Sequence, residues 1–174
     1  QLYKPAAFPT RINELSTPSP ENYYAKTKLE AWRVINTYRE TFNLWISCAI
    51  LFRHTSQNSK SNFLFPTLVQ KLHECLNLKI DYVKINDPIT PISLCSADEI
   101  VNGLYQMTFM ENCQDIVLGD DIGFTIKDLL QSFWRKTSSY ELEIVAVENL
   151  SNLPRPFLLP DITKSEITIG WRPK

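Results

Sequence analysis

The stretch ENYYAKTKLEAWRVINTYRE, residues 21–40, determines how the rest of the chain is interpreted. Residues suited to one buried face recur in it at helical spacing: Ala25, Leu29, Trp32 and Asn36. This period predicts a single long helix. Just upstream, Ser19 suits the N-cap position and Pro20 suits the first turn. We therefore expect a helix that begins near residue 20 and ends near Phe42.

On either side of this helix, the pattern alternates between strands and helices, which predicts the α/β class. The segment LWISCAILF, residues 44–52, is apolar on both faces, as in a buried parallel strand, and a polar loop follows at 53–62. The other predicted elements are helices near 63–76, 96–110 with a Ser96 cap, and 124–136; strands at 79–85, 115–120 and 141–147; extended or loop segments at 1–20 and 152–160; and a short final helix within 161–174.

Length and charge limit the classes of protein to which the chain can belong. Its 174 residues make about one domain. A net charge of −1 argues against a nucleic-acid surface, which needs a basic field. The longest apolar run has nine residues, interrupted by Ser47, and is too short to span a bilayer. With no signal-peptide pattern in QLYKPAAFP, we expect an intracellular protein.

The positions of the cysteines and glycines bear on whether the chain has a metal site or a dinucleotide-binding loop. The four cysteines are scattered and form no CxxC pair, so we expect reduced thiols and no metal site. The four glycines are also far apart, and none forms a GxGxxG or Walker pattern. Because a diphosphate needs close backbone amides that only glycine allows, this chain alone is predicted to have no dinucleotide clamp.

Four stretches occur in an order that points to a known family: QLYKP (1–5), SPENYYAKTKLEAW (19–32), AILFRHTS (49–56) and RPFLLPDITKSEITIGWRPK (155–174). They resemble, in turn, the S-x-E-x-[FY]-G strand end, the SPYxxAKxxAxW helix, the GILFNHES strand and the RP…D-x-x-K…GWxP ending of extended short-chain dehydrogenases/reductases. These are also called NAD-dependent epimerases/dehydratases, and the GDP-mannose 4,6-dehydratases among them are most similar.

The resemblance implies the C-terminal part of a Rossmann-like fold, without the N-terminal half that carries the glycine loop. Residues 1–174 would then form one partial domain. Residues 1–52 would be the end of the Rossmann part with the YxxxK helix, and 53–174 mainly the substrate-domain part.

The same resemblance suggests site residues. Tyr24 and Lys28 match the family's YxxxK pair, in which the tyrosine exchanges a proton with a sugar hydroxyl while hydride moves to or from a nicotinamide. The lysine lies one turn away on the same face and holds the cofactor ribose. Tyr24, Lys28 and His54 are thus the cofactor-binding candidates. Arg155 matches an arginine associated with the nucleotide diphosphate and is the substrate-binding candidate.

Each of these residues also has a purely structural interpretation. Tyrosine and lysine four residues apart occur on many helices, where the lysine stem lies along the aromatic ring. His54 would then be a polar strand end. Arg155 would be a solvated loop arginine.

The chain departs from the family pattern at positions linked to function. Gln1 stands where the dehydratases have an acid–base glutamate, and glutamine takes no proton from a sugar at neutral pH. Pro66 and Thr67 replace an arginine and a lysine of the family's FVTRKI segment, in which the lysine helps to hold the nucleotide. The loop TSQNSK, residues 55–60, has Lys60 as its only cation, where the family has ESPRRG.

Two functional hypotheses follow. In the first, the chain is a degenerate dehydratase-like pseudoenzyme that acts as a structural or interaction subunit of a larger assembly, with no cofactor of its own. Its partner would be a protein that covers the missing half, or a second copy bound through the YxxxK helix. In the second, the chain is the C-terminal portion of an active nucleotide-sugar dehydratase or epimerase. NADP or NAD would then bind together with a half supplied elsewhere.

Overall fold

The computed structural model describes residues 2–6, 8–138, 140–147 and 154–174, in which strands and helices alternate. In chain order the elements are β1 (Thr10–Ile12), α1 (Tyr23–Phe42), β2 (Ala49–Leu51), β3 (His54–Thr55), α2 (Leu64–Leu78), β4 (Tyr82–Ile85), β5 (Cys95–Ser96), α3 (Ala97–Met107), β6 (Ile116–Leu118), α4 (Ile126–Thr137), β7 (Glu143–Ala146), β8 (Leu158–Pro160) and α5 (Thr163–Ile169). Three pairs of strands run parallel, β1 with β8, β2 with β6, and β4 with β7. The predicted α/β class is confirmed.

The chain divides into two compact units. The first contains Gln1–His54, Ser93–Ile122 and Pro156–Lys174, and the second contains Thr55–Ile92 and Gly123–Arg155. Two later segments of the chain thus belong to the same compact unit as the N-terminal residues. The assignment of a Rossmann part to 1–52 and a substrate part to 53–174 stays a prediction.

The core of the first unit surrounds β6, whose three residues are fully buried. Helix α3 packs closely on this strand at Gly103. A Cβ at that position would lie 3.0 Å from both the Leu118 side chain and the Trp171 ring. The Trp171 indole donates a hydrogen bond to the Glu99 carbonyl of α3 (3.0 Å). Trp171 of the C-terminal GWRP segment is therefore part of this core.

The core of the second unit lies where α2 and α4 pack with β4 and β7. Its buried side chains are Leu68, Cys75, Val83, Ile85, Ile126, Leu130, Trp134 and Leu142. In β4 the burial alternates along the strand, as the pattern of KIDYVKI predicted. Helix α4 turns an apolar face inward, which confirms the predicted amphipathic helix.

Helix α1 ends at Phe42 as predicted, but the predicted cap is wrong. The N-cap is Asn22, whose side-chain oxygen accepts a hydrogen bond from the backbone amide of Ala25 (2.8 Å). Ser19 and Pro20 lie before the helix. Both Ser19 and Asn22 are good capping residue types, and the local pattern did not distinguish between them.

The prediction for LWISCAILF was right in strand direction and wrong in extent and burial. Only Ala49–Leu51 form a strand, and it pairs in parallel with β6. Leu51 is 44% exposed and Trp45 is 55% exposed. Among the described residues, β6 is the only strand that pairs with β2, so the other edge of β2 has no strand beside it.

Four short strands, β1, β3, β5 and β8, were not predicted, and the helices α2, α3 and α4 lie close to their predicted bounds. β1 lies in the predicted lead-in and β8 in the predicted proline-rich loop, and they pair with each other. Three residues are too few for a strand period to appear, and each strand depends on a partner far away in sequence. Asn152 and Leu153, at the start of the predicted loop, lie outside the described residues. Helix α3 begins after the Ser96 cap as predicted, with a 3.2 Å bond from the Asp98 amide.

Candidate active site

Tyr24 and Lys28 lie near the N-terminus of α1 and contact each other. The Lys28 ammonium is 5.4 Å from the centre of the Tyr24 ring. The Tyr24 side chain is 69% exposed, and Lys28 is also exposed. Residues four apart lie on the same side of a helix, so α1 itself brings the pair together. Their hydroxyl and ammonium groups are open to a ligand approaching from outside.

The first turn of α1 is fixed by hydrogen bonds and burial of the residues around Tyr24. The Asn22 side chain caps the helix, and Ala25, which follows Tyr24 in the first turn, is buried. The Thr27 hydroxyl donates to the Tyr24 carbonyl (2.8 Å). The backbone beneath Tyr24 is therefore fixed, while its ring points away from the core.

His54 is exposed at the start of β3. One of its ring nitrogens, Nδ1, lies 2.9 Å from the Phe52 carbonyl oxygen. Within the described part of the chain, no hydrogen bond or ring contact joins His54 to Tyr24 or Lys28. The structure supports the predicted position at a strand end and leaves the cofactor role a prediction.

Arg155 belongs to the second unit. Its Nε lies 3.8 Å from the Asp87 carboxylate, and its backbone amide donates to the Thr90 hydroxyl (2.9 Å). The side chain is more than half exposed. To bind a diphosphate, the Arg155 guanidinium would either have to contact it while still next to the Asp87 carboxylate or move away from that carboxylate. Its substrate role also stays a prediction.

The N-terminus of α2, where the resemblance places nucleotide-binding cations, offers little to an anion. Its N-cap, Phe63, makes no side-chain capping bond. Pro66 lies in the first turn and has no amide hydrogen. The Thr67 hydroxyl already donates to the carbonyls of Phe63 (2.8 Å) and Ser61 (3.0 Å). This helix end therefore lacks both the charge and part of the amide donor set of an anion site.

A cleft of about 240 Å³ lies within the second unit, between α2 and α4. Its lining is almost wholly apolar: Phe65, Leu68, Val69, Leu72, His73, Leu76, Leu129, Leu130, Phe133 and Thr137. It contains no pair of acid–base groups. We therefore do not place the candidate site here.

Sequence reasoning missed a buried charged cluster at Asp115, just before β6. Its carboxylate accepts hydrogen bonds from Trp32 (2.6 Å) and Arg39 (2.7 Å) of α1. Burial lowers the pKa of Arg39, but the hydrogen bond and charge of Asp115 outweigh that effect and raise it above its ordinary value. The one local signal was a charged residue directly before the apolar strand Ile116–Leu118.

Two absences concern the described residues alone. In those ranges, no three His, Cys, Asp or Glu side chains come together as ligands for a metal ion. None of the described helices combines the length and apolar character needed to cross a bilayer. Gln1, which stands at the position of the family's acid–base glutamate, lies outside the described residues.

Comparison with known proteins gives matches over nearly the whole chain. The model of the family described as GDP-mannose 4,6 dehydratase matches residues 6–174. The GDP-mannose 4,6 dehydratase of Drosophila melanogaster is 20% identical over 184 residues, which cover 95% of this chain and 47% of that protein.

Solved structures of similar fold include RMD from Pseudomonas aeruginosa, in complex with NADPH, with a TM-score of 0.78 and 18% identity over 94% of this chain and 55% of that one. UDP-glucuronic acid 4-epimerase from Bacillus cereus, in complex with NAD, gives a TM-score of 0.76 and 16% identity over 99% of this chain and 53% of that one. At these identities the likeness shows the fold alone, which is that of the C-terminal half of an NAD-dependent epimerase/dehydratase. The chain spans about half the length of the relatives it matches.

Proposed function

Because the chain belongs to the GDP-mannose 4,6-dehydratase family, we propose that it acts as a structural or interaction subunit on that scaffold and does not itself turn over a nucleotide sugar. The observation that carries this proposal is an apolar surface on α1 and the segment after it. Val34 is 54% exposed, Tyr38 49%, Phe42 61% and Trp45 55%. We call these four residues the outer stripe.

Helical geometry makes the three outer-stripe residues on α1 a continuous surface. Val34, Tyr38 and Phe42 are four residues apart and so lie along one side of α1. The rings of Tyr38 and Phe42 contact each other, with their centres 5.2 Å apart. Burying one large apolar side chain contributes about 1.5–3 kcal/mol. Covering the stripe would thus supply several such contributions to an interface, which is a reason for a partner to bind there.

The free edge of β2 offers a second kind of contact. An unpaired strand edge presents backbone donors and acceptors that another strand can bind. Leu51, at the end of β2, is 44% exposed and would be covered by such a strand. We propose that the partner is either a protein that adds a strand here or a second copy of the chain that binds through α1.

The second unit gives a reason to expect weak nucleotide binding. A nucleoside diphosphate needs cations or free amides matched to its charge. In α2 the first turn offers Pro66 without an amide hydrogen and Thr67 with its hydroxyl already bonded to carbonyls. We expect an affinity for a GDP-sugar too low to support turnover.

One observation favours the alternative function, a NAD(P)-dependent nucleotide-sugar dehydratase or epimerase. The Tyr24 ring and the Lys28 ammonium are adjacent and exposed. These groups fit the nicotinamide-ribose end of a cofactor, where Tyr24 would move a proton at its hydroxyl and Lys28 would bind ribose oxygens. A bound NAD or NADP would supply the hydride acceptor. In this alternative, residues of a half supplied elsewhere would hold the diphosphate.

The interaction role is tested by association state. We would measure sedimentation of the complete protein over a range of concentrations and compare it with Tyr38→Lys, which places a charge in the outer stripe. Tyr82→Lys is the control, because Tyr82 is a tyrosine of similar exposure (44%) on strand β4 of the second unit. We expect Tyr38→Lys to shift the protein or its complex to a smaller species and Tyr82→Lys to leave it unchanged. A wild-type protein that stays monomeric and binds no companion would contradict the proposal.

A further inference from the structure

Asp115 lies in the first unit at the start of β6, and its buried carboxylate is shared by three donors. Oδ2 accepts from the Trp32 indole (2.6 Å). Oδ1 accepts from the Arg39 guanidinium (2.7 Å) and from the backbone amide of Cys48 (3.1 Å). A carboxylate with this number of donors is satisfied despite its burial.

Two further bonds extend the cluster. The Lys164 ammonium of α5 donates to the Asp115 backbone carbonyl (2.8 Å). The Nε of Arg39 donates to the Ile46 carbonyl (2.8 Å). Arg39 therefore also binds the segment that follows α1. Trp32 belongs to the stretch that matches the family's helix motif, and Lys164 to the one that matches its C-terminal motif. Both motif residues therefore meet at Asp115.

The two contacts on α1 constrain the whole helix. Trp32 and Arg39 are seven residues apart, which is about two turns or about 10 Å along the axis. Both lie on the side of α1 that also carries the buried Ala25, away from the outer stripe. Two anchors at different heights on one face fix the rotation of a rigid helix about its axis and its position along that axis.

We propose that Asp115 is the positioning residue of α1, and that it thereby sets the direction in which Tyr24 and Lys28 are presented. This proposal rests on the proposed function only for the identity of the molecule, a partner or a ligand, that contacts Tyr24 and Lys28. Neutralising the carboxylate removes the ion pair and leaves the Arg39 guanidinium without its carboxylate partner. Helix α1 then loses its anchors while the core around Ile116–Leu118 keeps its apolar contacts.

The test is Asp115→Asn in the complete protein, followed by amide hydrogen exchange. Asp121→Asn is the matched control, since Asp121 is also in the first unit and also pairs with an arginine, Arg172, at 3.3 Å, but at an exposed site. We expect exchange in α1 to rise about tenfold or more in Asp115→Asn, with α4 of the second unit unchanged. Asp121→Asn should change neither helix.

A second readout reports Tyr24 itself. With 3-fluorotyrosine placed at position 24, we expect the fluorine resonance to shift or broaden in Asp115→Asn and to stay in place in Asp121→Asn. Arg39→Lys retains the positive charge and should give a smaller change. If Asp115→Asn does not fold, Trp32→Phe, which removes a single donor, should move the same resonance in the same direction.

An unmoved Tyr24 resonance would overturn the proposal. So would a uniform rise of exchange in α1 and α4, because it would show only a general loss of stability. Neither readout requires a partner, a bound nucleotide or turnover. Failure here therefore leaves the proposed interaction role standing, and failure of that role leaves this result intact.

Discussion

Tyr24 is the residue at which an interaction role and an enzymatic role predict different outcomes. Its ring is exposed and contacts Lys28 only through the ring face. We expect Tyr24→Phe to change the free energy of unfolding by no more than about 0.5 kcal/mol, as for other exposed positions. Denaturant unfolding checks this, with Tyr23→Phe as the control. In the interaction account Tyr24→Phe leaves assembly intact, whereas in the enzymatic alternative it abolishes turnover.

Gly103 is a residue of the first unit at which there is little room for a side chain. A Cβ would lie 3.0 Å from the side chains of Leu118 and Trp171, which cannot both retreat within a packed core. We expect Gly103→Ala to destabilise the protein by about 1–3 kcal/mol, measured by denaturant unfolding. Gly170→Ala separates crowding from backbone strain, because Gly170 has open space around it but a φ of +61°. A neutral Gly103→Ala would contradict the packing described for α3.

Cys95 predicts an alkaline limit to stability. Burial first, and then the charges of Asp120 and Glu99, raise the pKa of this thiol from 9.0 to about 11. Its folded-state pKa therefore lies above its unfolded-state value, so its contribution to stability is complete below pH 9 and is lost as the pH rises towards 11. We expect a fall in unfolding free energy over that range that is smaller in Cys95→Ala. An identical pH dependence in both proteins would contradict the buried thiol.

At the scale of elements, the start of α1 gives a direct test of local structure. Asn22→Ala removes the side-chain oxygen that accepts from the Ala25 amide, and we expect it to cost about 1 kcal/mol of stability. Ser19→Ala, at the residue favoured by the sequence pattern, should be neutral. Thermal or denaturant unfolding of the two variants checks the assignment. The opposite ranking would place the helix start at Ser19.

The helices could be predicted from sequence because their signals are local. The period of α1 gave its end at Phe42, and Ser96 gave the start of α3. Strands β1 and β8 could not be predicted, since three residues show no period and their pairing joins Thr10 to Leu158. The strand within LWISCAILF was overextended because an apolar run indicates burial only when neighbouring elements cover it.

The candidate site likewise contains contacts that could be predicted from the sequence and contacts that could not. The Tyr24–Lys28 contact follows from a spacing of four on one helix, so it was predictable. The Asp115 cluster was not predictable, because Asp115 is 83 positions from Trp32 and 76 positions from Arg39 in the chain, and no sequence pattern links them. The roles of His54 and Arg155 came from resemblance, and they stay predictions.

For the molecule as a whole, the outer stripe and the free edge of β2 support the same proposal, which is that the chain binds another protein. Both are apolar or unpaired surfaces in the first unit, and both would be covered by protein. The first turn of α2, by contrast, lacks the cations that a nucleotide would need. Taken together, these features support association with a partner more strongly than binding of a nucleotide sugar.

The most direct test of this interaction role is native mass spectrometry of the intact protein isolated from its source, followed by identification of any released nucleotide. We predict a complex with a second copy or a companion protein that releases no NAD, NADP or nucleotide sugar. A single polypeptide that carries one of these nucleotides would contradict the interaction role and make the enzymatic alternative the better account of this chain.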